Sequence, residues 1–275
     1  MFFLLRMEKV HTKGKSAFVP GFASRLIIPL VCCFLATGCT SEPPPPNLII
    51  LFSDDAGYAD FGFQGSSDYK TPHLDALVSS RARFTSGYVT ASVCSPSRAG
   101  MLTGRYQQRF GHELNLPGVP DPSVPDSARG LPLSERTIAD LLKDEGYATG
   151  LVGKWHLGLE DHFHPTNRGF DEFFGMRKGS GPYFSGNVNI IEQGMEAVPA
   201  DSLTYLTDEF GDQAVDFIAR HRKEPFFLFL SFTAPHTPMQ AKKDYLAERW
   251  SDIVLTIETV ACKKRDRWVT DVTCK

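Results

Sequence analysis

The chain has no surplus of positive charge: its 29 Lys and Arg stand against 32 Asp and Glu, a formal net charge of −3. Grip on a nucleic-acid backbone comes from a cationic surface that releases counterions, so no nucleic-acid partner is expected. Cysteine is scarce through the middle. Cys32, Cys33 and Cys39 lie near one end, Cys262 and Cys274 near the other, and Cys94 stands alone between them, a spacing that defines no disulfide framework. A run long enough to span a membrane is missing too, and no internal repeat is present. The apolar stretch Leu26 to Leu35 behind Arg25 has the length of a secretory signal core. What remains is 42% hydrophobic and 12% aromatic, enough to bury the core of one large globular domain.

Residues 1–39 therefore read as a leader, long enough to suggest a later start codon. Ala36-Thr37-Gly38-Cys39 is similar to a bacterial lipobox, which implies a lipid anchor on Cys39 and a place in the periplasm or at the cell surface. An ordinary cleaved leader, with Cys39 incidental, is the plainer alternative. Residues 40–46, with Pro43 to Pro46, form a stiff spacer.

Leu48 to Phe52 is apolar at every position, as a strand buried on both faces of a parallel sheet requires, and it stops at Ser53-Asp54-Asp55. Leu74, Leu77, Val78 and Ala82 recur at helical spacing, and Phe84 to Val89 reads as a short strand. Ile138, Leu141 and Leu142 mark a second helix, with Ser134 as N-cap and Gly146 as its stop. Tyr147 to Val152 gives another strand. A helix carrying Phe210, Ala214, Phe217 and Ile218 then leads to the apolar strand Phe226 to Leu230. Strands alternating with helices predict an α/β fold. Ligands of such sheets collect beyond the carboxyl ends of the strands, where Asp54, Lys154 and His236 all fall.

Four segments could do chemistry. In Cys94-Ser95-Pro96-Ser97-Arg98, followed by Leu102-Thr103-Gly104-Arg105, Pro96 is placed to start a helix whose free amides would face an anion beside Cys94. A buried or redox-sensitive thiol is the plainer reading of Cys94 alone. Asp54 and Asp55 are either solvated surface or hard-oxygen ligands for a divalent cation. Gly153-Lys154-Trp155-His156-Leu157-Gly158 offers a point charge suited to a tetrahedral oxyanion. Thr233-Ala234-Pro235-His236-Thr237-Pro238 offers an imidazole that titrates near working pH. His73, His112, His162, His164 and His221 lack such context and read as structural or exposed, although Arg109 to Glu113 could sit near a pocket rim.

Together these segments resemble the formylglycine-dependent type I sulfatases, arylsulfatase-like members of the alkaline phosphatase superfamily, whose signature is C-x-P-S-R followed by L-T-G-R. The resemblance implies a largely parallel α/β sheet flanked by helices and hydrolysis of sulfate monoesters. A formylglycine-generating enzyme would oxidise Cys94 before folding, and the hydrate of that formylglycine would be the nucleophile. Asp54 and Asp55, with the residue made from Cys94, would hold one calcium ion. Arg98, Lys154 and His156 would fix the sulfate oxygens, and His236 would protonate the leaving oxygen. Export and a surface anchor make a sulfated polysaccharide the expected substrate.

The resemblance covers the sulfatase domain assigned to residues 47–250. The family's further cation ligands, an Asp-Asn pair, and a later lysine have no counterpart, and residues 251–275 form a non-matching tail. A frameshift, truncation or gene-model error near Trp250 is the expectation, costing the fold its C-terminal part. Two alternatives remain open: a phosphonate or phosphodiester hydrolase of the same fold, and a non-catalytic pseudoenzyme that binds sulfated glycans.

Overall fold

The computed structural model describes residues 2–7, 44–67, 70–80, 82–184 and 191–243. The lipobox with Cys39, the tail 251–275 and every cysteine except Cys94 lie outside the described residues. No helix among the described residues is long and apolar enough to cross a membrane.

Seven strands form one sheet: β1 (Phe2–Met7), β2 (Asn47–Phe52), β3 (Ala148–Lys154), β4 (Glu172–Met176), β5 (Glu192–Gln193), β6 (Glu196–Ala197) and β7 (Phe226–Ser231), in the order β1-β2-β7-β3-β4-β5-β6. The inner four, β2, β7, β3 and β4, run parallel, and the three outer pairings are antiparallel. Continuous apolar sequence follows from burial on both sides. Along β7, Phe226, Leu228 and Leu230 enter one core layer while Phe227 and Phe229 enter the other. Helices α1 (Pro72–Ser79) and α4 (Leu206–His221) cover the first layer through Leu74, Phe210, Ala214 and Phe217. Helices α2 (Cys94–Thr103) and α3 (Ile138–Asp144) cover the second through Ala99, Leu102 and Ala139. The predicted largely parallel sheet between helices is therefore present.

Several local expectations are corrected. Phe84 to Val89 forms no strand; Phe84 and Tyr88 are 85% and 87% exposed, and no strand among the described residues pairs with them. Helix α1 stops at Ser79, short of Ala82. Helix α3 is capped by Thr137 rather than Ser134. Thr137 Oγ1 accepts from the Asp140 amide at 3.1 Å while Asp140 Oδ2 accepts from the Thr137 amide at 2.7 Å, a reciprocal pair that Ser134 does not have. Helix α2 starts at Cys94, two residues ahead of Pro96. The proline is tolerated there because first-turn amides have no intrahelical acceptor.

Close approach of β3 to β7 depends on Gly153, whose φ is +110° and whose added Cβ would lie 1.9 Å from the Ser231 carbonyl oxygen. Gly153→Ala is expected to cost more than about 2 kcal/mol, from the left-handed backbone and the clash together. A urea midpoint unchanged from the parent would refute this account of the β3–β7 contact.

Candidate active site

Three strand ends and the start of one helix meet at the carboxyl edge of the sheet. Asp54 follows β2, Lys154 ends β3, His236 follows β7, and Cys94 and Arg98 lie on the first turns of α2. The Asp54 amide donates to the Ala234 carbonyl at 3.1 Å, which ties the loops beyond β2 and β7 together. Lys154 Nζ donates to Asp54 Oδ2 in a fully buried ion pair, and Arg98 Nη2 lies 3.3 Å from Asp54 Oδ1. Arg98 Nη1 donates to the Lys154 carbonyl and to Ser231 Oγ, both at 2.7 Å, and its guanidinium lies over the Phe52 ring at 4.9 Å. Ser231 Oγ in turn donates to the Lys154 carbonyl at 2.8 Å. Cys94, Asp54 and His236 each present a potential ligand atom within 4.8 Å of the others.

The charges are arranged around one buried carboxylate. Burial opposes ionisation of Asp54, yet Arg98 and Lys154 hold its carboxyl below the usual range. Burial and then Arg98 pull the Lys154 ammonium down, with Asp54 resisting. The Cys94 thiol is pushed up by burial and then by Asp54, against Lys154 and Arg98. An unmodified thiol at this position is thus a poor source of thiolate. Among the described residues, Arg98 Nε and Nη2, His156 Nδ1 and Thr233 Oγ1 are buried without a hydrogen-bond partner. The guanidinium donors are what an oxyanion would satisfy.

His156 is buried at φ +60°, its Nε2 3.1 Å from the Leu116 carbonyl. A carbonyl only accepts, so Nε2 carries the hydrogen and Nδ1 the lone pair while the ring is neutral. Burial and then Lys154 bring its pKa down to about 4, so it is neutral near pH 7. Gly179 is its wall; a Cβ there would meet the ring at 2.4 Å. His236 is partly exposed, with Nδ1 2.5 Å from the Thr237 carbonyl and Nε2 3.6 Å from Asp55 Oδ2. Asp55 is itself half-exposed, in the left-handed region at φ +63°.

All of the sequence-derived candidates thus come to the carboxyl edge, but one expected donor does not. The Ser95 amide, free in an isolated first turn, is taken by Asn115 Oδ1 at 2.9 Å. That amide is therefore already committed and is not open to an anion. Sequence reasoning missed Ser231, Asn115 and Tyr183. Tyr183 is buried, and its hydroxyl donates to the carbonyls of Thr233 and His236 at 2.9 and 2.5 Å. No motif marks any of the three. The cavity lined by Leu133, Arg136, Asp140 and Arg168 contains none of the candidate residues.

The donors that the structure brings together, Asp54, residue 94 and His236, suit a metal ion, and position 94 would contribute oxygen once its sulfur is replaced. Asp55, whose carboxylate faces His236, is not part of that group.

The sulfatase family profile matches residues 46–253, and the chain belongs to that family. Its sheet between helices is the alkaline-phosphatase-like α/β fold of these proteins. Pig (Sus scrofa) N-acetylgalactosamine-6-sulfatase is 35% identical over 256 residues, covering 86% of this chain and 49% of that protein. Ps i-CgsB, solved alone and in complex with k-i-k-neocarrahexaose, superposes with a TM-score of 0.70 at 34% identity, covering 77% of this chain and 52% of its own. A protein solved in complex with its substrate D-glucosamine-2-N,6-O-disulfate gives a TM-score of 0.58 at 26% identity, covering 73% of this chain and 37% of that one. The chain spans about half the length of the curated relatives it matches. Proteins of this family generally use a metal ion and formylglycine.

Proposed function

We propose that this chain carries the nucleophile-bearing part of an exported sulfatase that hydrolyses sulfate monoesters on carbohydrates. One observation carries the reading: the Cys94 sulfur lies in a cluster with Asp54 and His236, and the two cations on Asp54 are Arg98 and Lys154. Two cations beside the residue to be oxidised support a role for Arg98 and Lys154 in holding the sulfate group. Formylglycine made from Cys94 by a formylglycine-generating enzyme would supply, as its hydrate, an oxygen nucleophile and a second hydroxyl whose loss of a proton expels sulfate. Calcium, the family's usual hard cation, would be held by Asp54, Asp55 and residue 94 and would polarise the sulfate oxygens.

The chain's own residues then divide the remaining work. Arg98 offers a planar fork and Lys154 a point charge to the sulfate oxygens as negative charge shifts in the transition state. His236, with its hydrogen fixed on Nδ1 by Thr237, gives and takes its working proton at Nε2, the atom facing Asp55. His156 was expected to fix sulfate oxygens. Its ring is neutral with the hydrogen on Nε2 committed to Leu116, so in this proposal it would meet the sulfate or the formylglycine hydrate through Nδ1, as an acceptor from a hydroxyl or a protonated oxygen. Sugar sulfates are the proposed substrates because all three relatives carry sugars in their names or complexes. Export with a lipid anchor on Cys39 belongs to the same proposal; that cleavage would remove the edge strand β1 and leave the four parallel strands, and mass spectrometry of the mature N terminus checks it.

The test is to express the full chain with and without a formylglycine-generating enzyme, map the Cys94 peptide by mass spectrometry, and assay 4-nitrophenyl sulfate beside bis-4-nitrophenyl phosphate. The aldehyde and sulfate release should appear only with the modifying enzyme. An unmodified cysteine, or a chain that cleaves only the phosphodiester, overturns the reading.

A further inference from the structure

Helix α2 begins without a cap of its own. Val93 occupies the N-cap in extended conformation and makes no side-chain cap hydrogen bond. An uncapped first turn frays, and this turn carries residue 94. The missing partners come instead from a loop about twenty residues downstream. Asn115 Oδ1 accepts from the Ser95 amide at 2.9 Å, and His112 Nε2 meets Ser95 Oγ at 2.8 Å in a buried contact. His112 is 5% exposed and hydrogen-bonds the Gly130 backbone. Its own amide donates to the Gln107 carbonyl at 3.1 Å, and Gln107 Nε2 donates to the Thr90 carbonyl at 3.1 Å, on the approach to α2. One residue past Asn115, the Leu116 carbonyl sets the His156 ring.

We propose that the segment His112 to Leu116 positions the reaction centre, His112 and Asn115 locking the helix turn that presents residue 94 and Leu116 locking His156. The inference rests on the sulfatase reading for its purpose, but its geometry concerns the unmodified chain and is tested there. His112 is a positioning residue that acts through Ser95. In the neutral tautomer with its hydrogen on Nδ1, Nε2 accepts the Ser95 hydroxyl proton, and burial favours the neutral ring by lowering the pKa of His112. Ser95 stands at the unconstrained second position of C-x-P-S-R, so its replacement leaves the signature intact.

The measurement is the rate at which Cys94 is alkylated by iodoacetamide in the native full chain made without the modifying enzyme, read on the Cys94 peptide. Alkylation of a half-buried thiol follows local opening of its turn. Loss of a buried hydrogen bond worth about 1.4 kcal/mol would raise that opening about tenfold. His112→Leu and Ser95→Ala should each accelerate alkylation about tenfold, and the double variant no more than either alone, since both break one contact. His112→Gln, which restores an acceptor, should stay within about twofold of the parent. Phe217→Leu, a core change on the other face of the sheet, should leave the rate unchanged. Unaltered rates in the first two variants, additive effects, no rescue by Gln, or equal acceleration in Phe217→Leu would each overturn the proposal. The sulfate-release assay stands apart, so failure of either idea can be told from failure of the other.

Discussion

Lys154→Met is expected to remove about 3 kcal/mol of stability and to lower kcat/KM for 4-nitrophenyl sulfate by about 10²- to 10³-fold. Lys154 is fully buried, and Asp54, its partner, is 4% exposed. Removing the ammonium leaves a buried carboxylate with one cation, Arg98 at 3.3 Å. That remaining cation keeps the loss toward the lower end of what a broken buried pair costs. Lys154→Arg should not rescue, because the ammonium is fully buried against Asp54 and its packing leaves no room for a guanidinium fork. Adding Asp54→Asn to Lys154→Met removes the stranded charge, so the double variant should recover part of the lost stability while remaining inactive. The check is a shift in urea midpoint at unchanged m-value. A midpoint within about 0.5 kcal/mol of the parent for Lys154→Met would show that the pair contributes nothing to the fold.

The strands that place these charges were legible because a strand buried on both faces writes its burial into every residue. The runs at Leu48 to Phe52 and Phe226 to Leu230 are the clearest cases, and the polar residues that break them are the site residues. Phe84 to Val89 carries a similar local pattern, but a strand needs a neighbour, and neighbours are not encoded locally. Ser231 was invisible for a related reason. Its hydroxyl matters because β3 and β7 pair in a register that sets Gly153 opposite Ser231, beside the Lys154 carbonyl. His112 and Asn115 act on Ser95 across seventeen and twenty residues of loop that carry no periodicity to read. The corrected start of α2 follows the same logic: Pro96 tolerates an early turn position, and partners far along the chain choose which one.

Acidification should destabilise the fold through His156 in a window that its pKa fixes. The folded ring is held at about 4 by burial and then Lys154, against an ordinary value of 6.5. The unfolded chain therefore binds the proton first as pH falls. The stabilising term is whole above pH 6.5, is lost progressively below it, and is exhausted below about pH 4. A gap of that size is worth about 3 kcal/mol. His112, also lowered by burial, adds loss in the same direction below its ordinary value of 6.5. Asp54 contributes only below its ordinary value of 3.8, where protonation in the unfolded chain begins to compete with its ion pairs. His156→Asn separates these contributions, since asparagine accepts the left-handed backbone at φ +60° and does not titrate. The urea midpoint of the parent, followed from pH 7.5 to 4.5, should fall more steeply than that of the variant by close to one proton's slope. Identical slopes would mean that His156 titrates alike in the folded and unfolded chains. The same shift bears on the proposed chemistry, because a ring that stays neutral down to about pH 4 offers Nδ1 near neutrality as a hydrogen-bond acceptor rather than as a strong base.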